Sequence, residues 1–288
     1  SEDFECEWGS REWFSHLYAK QGVENPAAYF GHRSSGYQKF RHKGICEVLV
    51  RGEVKAGSRV LDLGCGTGEL TARIAEKVET LDCMGIDFVV EVVERARTQY
   101  PNLRFETGCL GKIQQVSGSL DLVVASEVFY YLDPDTRVQW RDEIRKLLKP
   151  GGGMLFASVL GREYFTRAEA RAFVGEEMEI EIEKVEYHWL YHKITGPILK
   201  LCLFKMYLEA GSEPGLKGSK AKFQRASQWM SVPGVLLLLR LAGWLGGLIL
   251  RSEILPRLCS WLNAGLFPLA RCETNVVILG RKPASVAD

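Results

Sequence analysis

The chain has no excess of charge of either sign. Its 37 Lys and Arg face 36 Asp and Glu, and a formal net charge of +1 gives no global attraction to nucleic acid. It also lacks paired cysteines: the eight, at 6, 46, 65, 83, 109, 202, 259 and 272, form no CxxC. That argues against zinc, and no metal is expected. No signal-peptide pattern is visible at the N-terminus, so free thiols in a reducing cytoplasm are the expected state. Histidine is scarce, with five residues, and no fixed catalytic triad stands out. A clean membrane span is missing too. The apolar run 232–250 carries Arg240 in its middle, at a cost of about 2.5–3.5 kcal/mol in a bilayer, and four glycines weaken it as a helix. What is present is bulk: 288 residues, 46% hydrophobic, enough for one large domain or one domain with a substantial insertion.

The middle of the chain alternates short apolar runs with helical patterns. "RVLDLG", "LDCMGID", "LRFETG", "LDLVVASEV" and "MLFASVL" read as five strands. "GELTARIAEKV" and "FVVEVVERARTQY" read as helices, the second stopped by Pro101, and a further helix opens on Asp133 as N-cap with Pro134 in its first turn and ends at "LKPGGG". Such alternation implies right-handed crossovers and a doubly wound, Rossmann-like parallel sheet in the α/β class. Ligands in these sheets bind beyond the carboxyl ends of the strands, where the order reverses.

"VLDLGCGTGELT" lies at that place. Gly64, Gly66 and Gly68 allow a sharp turn and a close ligand approach, and the following helix offers amides to a carboxylate or phosphate. A dinucleotide fingerprint would need a third glycine at position 69, where the chain has Glu69.

The pattern of Asp62 two residues before the first of three alternate glycines resembles the first motif of the class I S-adenosylmethionine-dependent methyltransferases. Asp87 at the end of the second strand, "LDLVVASEV" and "LLKPGGGML" are similar to that family's later motifs, in order and spacing, over about Ser58–Val159. The resemblance implies a sheet of about seven strands and S-adenosylmethionine as cofactor, with S-adenosylhomocysteine as product. It implies a cofactor site of Asp62, Gly64, Gly66, Gly68, Asp87 for the ribose hydroxyls, Phe88 beside the adenine, and Cys109 and Leu110 where the family often has an acidic residue. Ser126, at the end of the fourth strand, and Tyr37, in an aromatic N-terminal arm with Tyr18, complete the set. Each residue also has a structural reading, as a strand-end carboxylate, a core aromatic or a small buried thiol.

Methyl transfer from a sulfonium asks mainly for alignment, and for a base only where the nucleophile must lose a proton. Glu127 and Tyr130, with neighbouring Tyr131, lie where an acceptor would meet the cofactor. His188 and His192 in "VEYHWLYH" share one face if that stretch is a strand, and are further candidates for the base, as are His16 and His32. A D/N/S-P-P-Y/F motif, which marks base-methylating relatives, is replaced by "SEVF", and nucleic acid is not expected as a partner.

The organisation expected is a helical arm over 1–51, a methyltransferase core over 52–192 and 272–283, and a helical cap over 193–271. Three helices are predicted in the cap, "PILKLCLFKMYLEAG", "VPGVLLLLRLAGWLGGLIL" and "EILPRLCSWLNAGL", the last broken by Pro256. Between 193 and 240 eight basic residues stand against two acidic ones. An apolar helix beside a basic linker fits peripheral contact with an anionic bilayer, a pocket for a lipid-like acceptor, a plain soluble lid or an oligomer contact. The function expected is transfer of a methyl group to an O or N nucleophile of a hydrophobic or lipid-associated small molecule. The alternatives are a soluble metabolite or natural product as acceptor, and a cofactor-binding scaffold without turnover.

Overall fold

The computed structural model describes residues 36–80, 82–109, 117–161, 164–187, 191, 194–195, 241, 244–246, 248–249, 252–266 and 273–284. These fall into two compact units, one holding 41–187 with 273–284 and the other 36–40 with the described positions from 191 to 266.

The first unit is built on a seven-stranded sheet. In chain order the elements of the chain are α1 (Gly36–Arg51), β1 (Val60–Leu63), α2 (Glu69–Lys77), β2 (Cys83–Asp87), α3 (Val90–Gln99), β3 (Arg104–Thr107), β4 (Leu120–Ser126), α4 (Pro134–Leu147), β5 (Leu148–Val159), α5 (Arg167–Gly175), β6 (Glu179–Glu186), α6 (Ile254–Leu266) and β7 (Asn275–Arg281), of which α6 belongs to the second unit. The strand order is β3-β2-β1-β4-β5-β7-β6. β1 to β5 pair in parallel, and β7 enters antiparallel between β5 and β6. The order reverses between β1 and β4, so the crevice at their carboxyl ends is where such a sheet binds ligands.

Both faces of the central strands β1, β2, β4 and β7 are buried, which explains their continuous apolar sequences, whereas the edge strands β3 and β6 keep exposed positions. Val60, Leu122, Val124, Leu155 and Leu279 point to the layer where Ile45, Val48 and Leu49 of α1 and Ile74 of α2 pack. Leu61, Leu63, Val123, Ala125, Phe156 and Ile278 point the other way, to Ile144 of α4 and Ala170 and Val174 of α5. The period of two fixes register, since a one-residue slip of β1 or β4 would exchange its two faces.

Asp133 caps α4 as the sequence implies, its Oδ1 accepting from the Thr136 amide at 3.0 Å, with Pro134 in the first turn. β5 departs from expectation by starting at Leu148 and continuing through "KPGGG" to Val159, with a break in its register against β4 between Leu120 and Leu122. Gly151, at φ 74, makes the step that three glycines permit, and its amide donates to the Lys282 carbonyl beyond β7. β6 stops at Glu186 and Tyr191 is helical, so "VEYHWLYH" is not the strand envisaged; His188 and His192 lie outside the described residues. In the second unit α6 is continuous. Pro256 sits in its first turn, where amides have no intrahelical acceptor to lose, and so does not break it.

Candidate active site

The turn after β1 is set by main-chain bonds. The amides of Gly64 and Cys65 both donate to the Ile86 carbonyl on β2, at 2.8 and 2.9 Å. Gly64, Gly66 and Gly68 have φ of 73°, 52° and 80°. At Gly64 a Cβ would lie 2.6 Å from Val128 Cγ2, so this position must lack a side chain as well as adopt the left-handed region. Gly68 is also the N-cap of α2, and it has no side chain with which to cap the helix. The first-turn amides are therefore left for other acceptors.

Asp87 joins this turn from the next strand. Its Oδ2 accepts from the Gly66 amide and its Oδ1 from the Val89 amide, each at 3.0 Å. Burial pushes its carboxyl above the ordinary range, against the lowering effect of these backbone bonds. A carboxylate has about four acceptor positions, so lone pairs remain for hydroxyl donors. Phe88 is half-buried against the cluster of Cys65, Val89 and Phe105, and Cys109 is a half-exposed free thiol just after β3. Leu110 lies outside the described residues.

Asp62 is placed differently from the rest of the expected set. It is 1% exposed and lies behind the turn, accepting the Thr71 hydroxyl of α2 at 2.6 Å. Burial pushes its pKa up to about 7, with the Thr71 hydrogen bond acting in the opposite sense. Asp62 thus ties β1 to α2 beneath the glycines. Thr71 was not among the residues expected, although a hydroxyl one turn into the helix after a buried Asp is a signal the sequence contains.

At the end of β4, Ser126 is half-buried opposite Ala157 of β5. Glu127 then turns the chain at φ 61, an uncommon conformation for a non-glycine residue. Its amide donates to the Ala157 carbonyl at 2.9 Å, and its carboxylate forms an ion pair with Arg41 of α1, the two side chains being 19% and 9% exposed. Arg41 went unforeseen because nothing in "KFRHKG" distinguishes it from its basic neighbours.

A short 3₁₀ turn, Phe129–Tyr131, follows. The Tyr130 hydroxyl lies 3.3 Å from that of Tyr131, and Tyr130 also hydrogen-bonds Glu127. Its ring meets Tyr164 edge-on at 5.0 Å. Burial, with Glu127 nearby, raises the Tyr130 phenol far above its usual range, so it stays protonated. Tyr37 belongs to the second unit and stacks on Tyr191, with ring centroids 4.9 Å apart and planes at 11°. Among the described residues no group of three or more His, Cys, Asp or Glu is arranged to hold a metal ion.

This edge combines a glycine turn, a strand-end carboxylate and a reversal of strand order, and comparison with known proteins agrees with it. Residues 60–152 match the family model described as "Methyltransferase domain". The trans-aconitate 2-methyltransferase of Deinococcus radiodurans is 38% identical over 96 residues, covering 33% of this chain and 35% of that one. The malonyl-[acyl-carrier protein] O-methyltransferase of Halalkalibacterium halodurans is 32% identical over 151 residues, covering 48% and 55%. In fold, the chain is similar to the structure of a candidate sarcosine dimethylglycine methyltransferase from Galdieria sulphuraria, with a TM-score of 0.54 at 12% identity over 95% of this chain and 98% of that one. Residues 60–152 thus form a methyltransferase domain of the class I S-adenosylmethionine-dependent kind. The cofactor of such a domain is S-adenosylmethionine. The chain spans between 35% and 55% of the length of the two curated relatives named.

Proposed function

We propose that the protein transfers a methyl group from S-adenosylmethionine to an O or N nucleophile of a hydrophobic small molecule. The observation that carries this reading is the contrast along one sheet edge, where a backbone-lined glycine turn on β1 adjoins an aromatic, hydrogen-bonding wall after β4. When bound, the cofactor supplies an electrophilic methyl group on a sulfonium.

On this reading the glycine turn holds the amino-acid end, Asp87 accepts the ribose hydroxyls, and Phe88 and the backbone around Cys109 flank the adenine. Asp62 acts one layer behind, fixing the turn through Thr71. Glu127 accepts a hydrogen bond from the acceptor nucleophile and takes its proton where it has one to lose. Tyr130, held protonated, gives its one hydroxyl proton to Glu127 or Tyr131 and so orients the Glu127 carboxylate. The rings of Tyr130, Tyr131 and Tyr164 keep water from the line of displacement. His188 and His192 retain the role of alternative base.

A second reading, a soluble acidic metabolite as acceptor, is favoured by Arg41. Its guanidinium stands beside Glu127, and its N–H groups would donate in a bidentate manner to a substrate carboxylate. Trans-aconitate and the malonyl group, named in the relatives, are both carboxylic acids.

Incubating the protein with methyl-labelled cofactor and fractionated cell extract separates the two. Label in the organic-solvent phase, stable to base, supports the hydrophobic acceptor. Label in the aqueous phase, released by base as methanol from a methyl ester, supports the acid. Cofactor binding with no labelled product in any fraction would sink both and leave a scaffold.

A further inference from the structure

Beyond methyl transfer, and independently of which acceptor is used, we infer that the second unit docks on an anionic lipid bilayer through two apolar helix faces, around Leu241–Ile249 and Ile254–Trp261. The described positions 241, 244, 245, 246, 248 and 249 are all helical. Leu241, Trp244, Leu245, Leu248 and Ile249 are 41–57% exposed, whereas Gly246 is buried. At 100° per residue these five apolar residues fall within about 140° of arc, and Gly246 lies outside it.

α6 repeats the arrangement. Ile254, Leu258 and Trp261, spaced four and three apart, are 75%, 49% and 72% exposed, while Pro256 and Cys259 on the other side are buried. Arg257, exposed and paired with Glu253, flanks this face of the helix. Ser252 links the two segments: its amide donates to the Ile249 carbonyl at 3.1 Å, and its hydroxyl accepts from the Ile254 amide at 3.2 Å. Eight large apolar side chains left in water across two successive helices are far more than isolated surface hydrophobes explain.

The choice of an anionic bilayer rests on composition and charge. Two tryptophans among leucines and isoleucines suit the headgroup boundary. The stretch leading into this face, 193–240, carries eight basic residues against two acidic ones, and each Lys or Arg near an anionic surface adds to binding. No described helix is long and apolar enough to cross a membrane, which accords with a contact lying in the plane of the interface.

The test is flotation of the full chain with vesicles of pure phosphatidylcholine and of phosphatidylcholine with phosphatidylglycerol, at low and high salt. The full chain is expected to float with the anionic vesicles, weaken at least tenfold in high salt, and show a blue shift of tryptophan emission. The double variant Leu258→Glu/Trp261→Glu should lose flotation at least tenfold. Val138→Glu, at an exposed apolar site in the other unit, should retain it. Cofactor affinity, measured on the same preparations, should match the unaltered chain, which separates loss of docking from loss of folding and from failure of the methyl-transfer reading. Equal flotation by the double variant, equal binding to neutral vesicles, or no flotation at all would overturn the proposal. So would an L258E/W261E-sensitive dimer in sedimentation without vesicle binding, which would assign the face to a second copy.

Discussion

On the β1–β2 side of the carboxyl edge, the main chain does the holding: Gly64 and Cys65 donate to Ile86, and Gly66 and Val89 donate to Asp87. On the β4–β5 side the same edge is organised by side chains, with Arg41 on Glu127 and Tyr130 against Tyr131 and Tyr164. Backbone geometry is shared by any sequence that supplies the glycines, so it suits the part of a ligand that never varies. Side chains can change without refolding the loop, so the β4 side suits the variable acceptor. The two halves touch where Gly64 faces Val128.

The largest expected effect comes from breaking that contact. Gly64→Val combines left-handed strain of about 1–2 kcal/mol with overpacking against Val128 of about 1–3 kcal/mol. Affinity for S-adenosylhomocysteine, measured by calorimetry, should fall roughly 1,000-fold, equivalent to about 4 kcal/mol. Gly151→Ala is the contrast, because Gly151 has φ 74 but open space around it. It should cost about 1 kcal/mol of stability and leave cofactor affinity unchanged. Equal binding by the two variants would show that the β1 turn is not the cofactor cradle.

Next in size is the ion pair on the other half. Arg41→Met strands a largely buried Glu127 carboxylate, at a cost of about 3 kcal/mol, and the melting temperature should drop by about 6–12 °C. Adding Glu127→Gln should restore most of it, since the stranded charge rather than the lost attraction dominates. Cofactor affinity should stay within about threefold throughout. A large affinity loss in R41M would mean the halves are not separable in this way.

Asp62 sharpens the comparison through pH. Its folded pKa is about 7, against about 3.9 in an unfolded chain, so the folded state binds the proton more tightly. Stability from this group is complete below about pH 4 and is lost as pH rises towards 7. Between pH 5 and 7 the unfolding free energy of the ligand-free protein should fall by about 2 kcal/mol on this account. Asp62→Asn, which can still accept from Thr71, should flatten that slope in urea titrations. An unchanged slope would place the titration elsewhere.

How far this could be read from the sequence differs between the halves for the same reason. The glycine spacing, Asp87 and the alternating strands report main-chain geometry, which is local and period-bound, so the β1 turn and the sheet were legible. The β4 side depends on a partner 86 residues away in sequence, Arg41 on Glu127, and no spacing rule announces such a pair. Strand ends were less legible still. β5 runs through "KPGGG" because Gly151 and Gly152 exchange main-chain bonds with Lys282, just past β7, and Pro256 does not break α6 because its place in the first turn removes the penalty.

The smallest expected effect is the most specific test of the acceptor half. Tyr130→Phe removes one hydroxyl while keeping the ring packed on Tyr164, so the melting temperature should move by no more than about 2–4 °C. If the Tyr130 hydroxyl orients the Glu127 carboxylate toward the acceptor, turnover should fall about tenfold, or about 1.4 kcal/mol, with cofactor affinity unchanged. Because burial holds the phenol protonated, the pH profile of turnover should keep its shape in Y130F. A base would instead carry an ionisation that the variant loses. Glu127→Gln should alter the profile where a proton leaves the nucleophile. A change of profile in Y130F and none in E127Q would exchange the two roles while keeping both residues on the acceptor side. No effect of either on turnover would remove the acceptor from this edge and leave the Arg41 cluster as a structural brace for β4.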